Sequence, residues 1–142
     1  MADFIYNQFK HEVMEGTYDL SNGGDTIKVA LMKTGHSAST SDDDDWTSVS
    51  ANELDNGNGY TTGGATLANQ ATSVDDTDNE GVFDADDVTW SSATFTAYNA
   101  VLYDDTEANK ALICSIDFGG AKTATNGDFV LQWDSEGIIN IT

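Results

Sequence analysis

The sequence predicts a mainly β protein, an antiparallel β-sandwich or barrel-like fold of about seven to nine short strands with one N-terminal helix. Three observations predict it. The stretch Val82–Tyr103 alternates apolar and polar residues more densely than any other. Its β-branched and aromatic positions recur with a period of two, the signature of strands with one wet and one dry face. Turn signals rich in Gly, Asn, Asp and Ser fall every eight to twelve residues along the chain, as in sandwiches and barrels. No proline is present, so glycine, asparagine and aspartate must carry the turns.

The helix comes first. Over Ala2–Glu15 the residues Ile5, Phe9 and Val13 recur at a spacing of four, with Phe4 and Tyr6 widening the stripe. Asp3 is placed to cap the helix and Gly16 to stop it. Residues 1–16 therefore read as an amphipathic helix packed on its own sheet, or as an arm reaching a neighbouring subunit. After the turn at Ser21–Gly24 comes a strand, Asp25–Thr34. Ile27, Val29 and Leu31 point one way and Lys28, Ala30 and Met32 the other, so both faces are expected to be covered. Gly35–Asp45 is a polar loop ending in four aspartates, a run that repels itself and stays solvated. The same aspartates suit the N-terminus of a short helix begun at Trp46, whose ring would anchor the loop.

Asp55–Gly64, DNGNGYTTGG, must turn or lie irregularly. It has no Lys or Arg and no GK[ST] ending, so a phosphate cradle is not expected. Ala65–Val74 and Glu80–Phe83 read as a hairpin around Asp75–Asn79. The central stretch follows as two or three strands separated by polar breaks such as Ser91-Ser92. Asp104–Asn109 is a turn, and Ala111–Ile116 a buried strand ending at Gly119-Gly120. Lys122–Gly127 is expected as a loop, and Asp128–Trp133 as a strand with Phe129, Leu131 and Trp133 on one face. Ser135–Gly137 turns the chain into a last strand, Ile138–Ile141. No repeat of fixed period is visible, against a propeller or solenoid.

At 142 residues, 39% hydrophobic and 10% aromatic, the chain is long enough for one domain with its own core. Asp and Glu number 25 against 5 Lys and Arg, a formal charge of −20. That field repels nucleic acid and anionic membranes, so neither is an expected partner. The surface acids read either as a solubility and high-salt adaptation or as a means of meeting a basic partner or cations. No apolar run is long enough for a membrane span, and MADFIYNQFKHEV lacks a secretion signal's basic start. The expected site of synthesis is a cytoplasm.

Chemistry is sparse. Cys114 is the sole cysteine, which excludes an internal disulfide. It reads as a small buried hydrophobe, since activation would need a base and His11 and His36 stand in unrelated settings. Asp76, Asp78, Glu80, Asp84 and Asp87, with Gly81 between, carry the oxygen spacing of a calcium loop. The twelfth position is Asp rather than Glu and the flanks read as strands, so a hairpin turn with exposed acids explains the same residues. Asp84, Asp86 and Asp87 could serve as glycosidase carboxylates, and Trp46, Trp90 and Trp133 as a sugar platform; core packing explains the tryptophans equally. The sequence assigns no catalytic, cofactor-binding or metal residue and no cofactor, and points away from an enzyme.

Several stretches carry a likeness together: DTIKVALM from Asp25, SANEL from Ser50, GYTTGGATLA from Gly59, FDADDVTW from Phe83, NAVLY from Asn99, IDFG from Ile116 and GDFVLQWD from Gly127. In this order they resemble the small virion structural proteins of tailed bacteriophages, over nearly the whole chain. The resemblance implies a particle component in the virion, made in the host cytoplasm, and above all a capsid decoration (cement) protein. Its expected partner is the major capsid protein or another virion protein, and a homo-oligomer, a trimer, is expected. A tail, fibre or collar component is the alternative, and a carbohydrate-binding module the second. The Asp42–Asp45 run departs from the family's pattern.

Overall fold

The computed structural model describes residues 2–39 and 42–142. Met1, in the expected helix or arm, and Thr40 and Ser41, in the expected acidic loop, lie outside these residues. At 48% strand and 12% helix the chain is mainly β, as its alternation predicts. Among the described residues the strands are β1 (Phe4–Ile5), β2 (Ile27–Met32), β3 (Ala65–Thr66), β4 (Ala71–Asp75), β5 (Glu80–Asp84), β6 (Val88–Asp104), β7 (Leu112–Leu131) and β8 (Ile139–Ile141). The helices are α1 (Asn7–Glu15) and the single turn α2 (Trp46–Val49), which runs into a 3₁₀ turn at Ser50–Asn52. Two antiparallel sheets form, ordered β1-β7-β6-β2-β3 and β4-β5-β8, and they do not close into a barrel. None of the described helices is long and apolar enough to cross a membrane.

The main core joins the two sheets. Ile27, Val29 and Leu31 of β2, Ala97, Ala100 and Leu102 of β6 and Ile113 of β7 meet Phe83 of β5 and Ile138-Ile139. The opposite face of β2 is also covered: Ala30 and Met32 pack with Val101, Tyr103, Leu112, Tyr6 and Val49 in a second, smaller core. Burial on both sides is what the nearly unbroken apolar run of β2 requires. Trp46 closes this second core by stacking on Tyr103, with ring centroids 4.4 Å apart. The Asp45 carboxylate caps α2 by accepting from the Thr47 and Ser48 amides, as the acidic run predicts.

Three local expectations are corrected. The first concerns the helix start. Phe4 and Ile5 pair with Ser115 and Cys114 of β7 as a strand, and the helix begins only at Asn7. Asp3 does not cap it; its carboxylate accepts from the Asp117 amide. Gly16, at φ +73°, does end the helix. The second concerns Ala65–Val74, which is split. Asn69 takes a positive φ, so β3 joins β2 in the large sheet while β4 pairs with β5 in the small one. The third concerns the central region, where the expected short strands are two long ones. Ser91-Ser92 is a bulge inside β6, because Trp90 faces Phe129 while Ala93 already faces Gly127. Gly119-Gly120 is likewise a bulge inside β7, in which residues 118–121 oppose Tyr98 alone, and Lys122–Gly127 continues the strand rather than leaving it.

The glycine-rich segment 55–64 finishes the sheet edge. The Tyr60 hydroxyl accepts from the Leu31 amide at 3.1 Å and donates to Glu53 at 2.8 Å. Gly64 lies so close to β2, at φ +75°, that a Cβ there would fall on the Val29 carbonyl. This approach requires glycine.

Candidate functional site

The β4–β5 hairpin does not gather the acids that the sequence places in a calcium-like loop. Asp75 Oδ1 accepts from the Thr77 amide at 2.7 Å and the Asp78 amide at 3.2 Å, and so builds the turn. Glu80 accepts from the Asn140 amide group. Asp87 accepts from the Trp133 amide at 2.9 Å, and the Asp86 carbonyl takes the Trp133 indole N–H at 2.8 Å. Asp86's own carboxylate accepts from Asn69 at 2.6 Å. Of Asp76, Asp78, Glu80, Asp84 and Asp87, only Asp78 thus joins a cluster of carboxylates among the described residues. A different set, Asp75, Asp78 and Glu136, brings its carboxylate oxygens within 4.8 Å of one another, at a largely solvent-exposed position.

The other candidate residues have plain surroundings. Cys114 is fully buried in β7, and burial pushes its thiol up to about 12. His11 pairs with Glu15 at 3.4 Å on the exposed side of α1. His36 is partly buried, which pulls its pKa down. Trp90 and Trp133 lie in the main core, and Trp46 in the second.

A second carboxylate group was not singled out by any sequence pattern. Register in the large sheet sets Ile27 opposite Asp104, which brings Asp25 to the end of β6. Asp25, Asp104 and Glu107 come within 4.8 Å through their carboxylate oxygens. Asp104 has no exposed surface. Its Oδ1 accepts from the amides of Thr106 at 2.8 Å and Glu107 at 3.4 Å, while no donor reaches Oδ2. Burial, and then the neighbouring Asp25 charge, raises its pKa to about 6. Beside the group, Glu12 and Tyr18 are drawn together; the Tyr18 hydroxyl is pushed up by burial first and then by Glu12, Asp104 and Glu107. Glu12 Oε2 and the Tyr18 hydroxyl also lack well-formed partners. The nearest lysines look elsewhere: Lys28 and Lys110 both pair with Asp105, holding its carboxyl below the usual range.

Glu53 shows how differently this chain can bury an acid. It is 7% exposed, and its Oε1 takes both the Tyr60 hydroxyl and the Gly63 amide, the latter at 2.6 Å. A signal for the Asp104 group existed only in the combination of Asp25 before one strand and DDTE after another; nothing in either stretch alone announces it.

The outer face of the large sheet is divided. One half carries the second core. The other half, on the outward side of the β6–β7 ribbon, presents Thr89, Thr94, Thr96, Thr123, Thr125 and Val130, with Asp128 between Val130 and Thr125 opposite the Ser91-Ser92 bulge. Three of these hydroxyls are hydrogen-bonded. Thr96 meets Thr123 at 2.8 Å, and Thr94 accepts from the Asn126 amide at 2.9 Å. Val130 is 54% exposed. Trp90, Ala93, Ala124 and Phe129 point inward from the same strands. Comparison with family models, with curated proteins and with solved structures gives no match.

Proposed function

We propose that this chain is a structural protein of a tailed-phage virion, a capsid decoration (cement) protein that binds the outside of the head and stabilises it. It holds other polypeptides in place and catalyses no reaction. The observation that carries the reading is the open half of the outer sheet face. A chain with 25 acids and 5 lysines sets Thr89, Thr94, Thr96, Thr123, Thr125 and Val130 on this face with one carboxylate, Asp128, among them, and the face is largely exposed on a paired ribbon. Such a face can meet another protein without stripping water from many charges, the costly part of polar association. The acids around it suit basic patches of a shell, and repetition over a lattice turns modest contacts into firm attachment. The resemblance of the Asp25, Gly59, Phe83 and Gly127 stretches directs this reading to the virion.

The test is reconstitution on purified heads that lack the protein. Cryo-electron microscopy should show it on the outer shell surface, with the ribbon against the major capsid protein. Thr96→Asp with Thr125→Asp should lower occupancy about tenfold or more at equal protein concentration, since each desolvated acid opposes contact. Density on the tail, or full occupancy by the double variant, would overturn the assignment.

A further inference from the structure

We propose that Asp25, Asp104 and Glu107 form a binding site for a hard divalent cation, calcium above all. The proposal is independent of the virion reading. Three features carry it.

The first is spacing. Calcium–oxygen distances of roughly 2.3–2.6 Å place two ligands on opposite sides of the ion about 5 Å apart at most. The three carboxylates already lie within 4.8 Å of one another, so one ion can touch all three without moving the backbone. They come from the loop before β2, the end of β6 and the turn after it, elements locked by the β2–β6 register.

The second is an orphaned acceptor. Asp104 is wholly buried, and among the described residues no N–H or O–H reaches its Oδ2. The Thr106 and Glu107 amides fix Oδ1, which turns Oδ2 toward Asp25, another acceptor. Asp25 is itself oriented, with its Oδ2 accepting from the Asp19 amide at 2.7 Å. Buried acceptors nearly always have a partner, and an exception points to a missing ion or water.

The third is the absence of local compensation. Of the five lysines, Lys28 and Lys110 lie nearby but pair with Asp105, and Lys33 pairs with Asp55. Just beyond the three carboxylates stand Glu12 Oε2 and the Tyr18 hydroxyl, two more buried oxygens without well-formed partners. The site is therefore an all-oxygen set with a surplus of acceptors. That chemistry suits calcium, magnesium or manganese rather than zinc or copper. Calcium tolerates the irregular geometry of two strand ends and a turn, and water can complete its shell through the partly exposed Asp25 and Glu107. The exposed Asp75, Asp78 and Glu136 cluster lacks any such orphan and serves as the control.

The experiment uses the full chain stripped with chelator and titrated with calcium chloride. Calorimetry should show one saturable site. At about 100 times the dissociation constant the Tm should rise by roughly 5–10 °C. Terbium bound in place of calcium should show tyrosine-sensitised emission that calcium displaces. Asp104→Asn, and separately Glu107→Gln at the half-exposed rim, should remove these responses, while Asp78→Asn with Glu136→Gln should keep them. No saturable heat and no Tm change would overturn the proposal. So would responses that survive Asp104→Asn or vanish with the hairpin variant. Stabilisation by acid alone, with no ion effect, would make Asp25 and Asp104 a proton-sharing pair and overturn it equally.

Discussion

Replacing Asp104 by Asn should make the ion-free protein more stable at neutral pH, the reverse of what loss of a buried polar residue usually does. Asn keeps the geometry: its side-chain oxygen can still accept from the Thr106 and Glu107 amides. Its NH₂ group then supplies the donor that Oδ2 lacks, facing Asp25. Charged Asp104 faces Asp25, Glu107, Glu12 and Tyr18, and none of them is a cation. Burial first, and then Asp25, raise its pKa from 3.8 to about 6 against the lowering pull of the Thr106 and Glu107 amides. A folded-state value above the unfolded one means that the native protein binds the proton more tightly. The proton's contribution is whole below the unfolded value and is lost as pH climbs through the folded one. Two units correspond to roughly 3 kcal/mol at pH 7.

The assay is urea unfolding followed by tryptophan fluorescence, in chelator-buffered solution, for wild type and Asp104→Asn across pH 4 to 8. Because both proteins share the other 24 acids, their difference isolates Asp104 from the general charge repulsion. The variant should match wild type near pH 4 and gain about 2–3 kcal/mol by pH 7, with the change centred between the two pKa values. A variant less stable than wild type at pH 7.5 without ions would refute the reasoning, since it would mean that the charge itself is well satisfied.

Two further predictions concern the fold. Gly64→Ala forces a positive φ on alanine and drives its Cβ into the Val29 backbone, whereas Gly16→Ala meets nothing within 4 Å; the urea midpoints should show a loss of about 3 kcal/mol or more for the first and about 1 kcal/mol for the second, and equal losses would discard the close-approach argument. Cys114, buried and with its thiol raised to about 12, should resist an aromatic disulfide reagent at pH 8 until the chain unfolds; prompt labelling of the native protein would show that β7 opens locally.

The strands of this fold were legible where the local pattern matched the local burial. In β2 the alternation of Ile27, Val29 and Leu31 with Ala30 and Met32 predicted two covered faces, and both cores are there. What the pattern could not show was continuity. Ser91-Ser92 and Gly119-Gly120 carry turn chemistry, and positive φ at Ser92, Gly119 and Gly120 is the conformation of a turn. A bulge uses the same residues and the same dihedrals, and only the partner strand decides between them. Phe4 and Ile5 failed for a related reason. Their helical spacing was real, but the free edge of β7 offered their backbone a partner. The hairpin acids were legible as a turn and illegible as a cluster, because Glu136 reaches Asp75 and Asp78 from a distant part of the chain.

The distribution of charge connects these observations. With 25 acids and 5 lysines, most carboxylates have no cation to pair with, so each must find water or a backbone donor. Asp45 and Asp75 do so by capping amides at chain turns and Asp87 by taking the Trp133 amide just past β7, which costs little because they stay near solvent. Glu53 is buried but holds two donors. Asp104 alone joins complete burial to an oxygen with no donor, among the carboxylates described. Such an arrangement opposes folding unless something positive enters it, either a proton or a metal ion. The proton suffices only in acid, whereas the partly exposed Asp25 and Glu107 leave an ion a route in from solvent. If the ion is the answer, the site ties the start of β2 to the end of β6. The long ribbon that carries the threonine-rich face would then be held at its base by a charge cluster that its outer surface, with Asp128 alone, does not repeat.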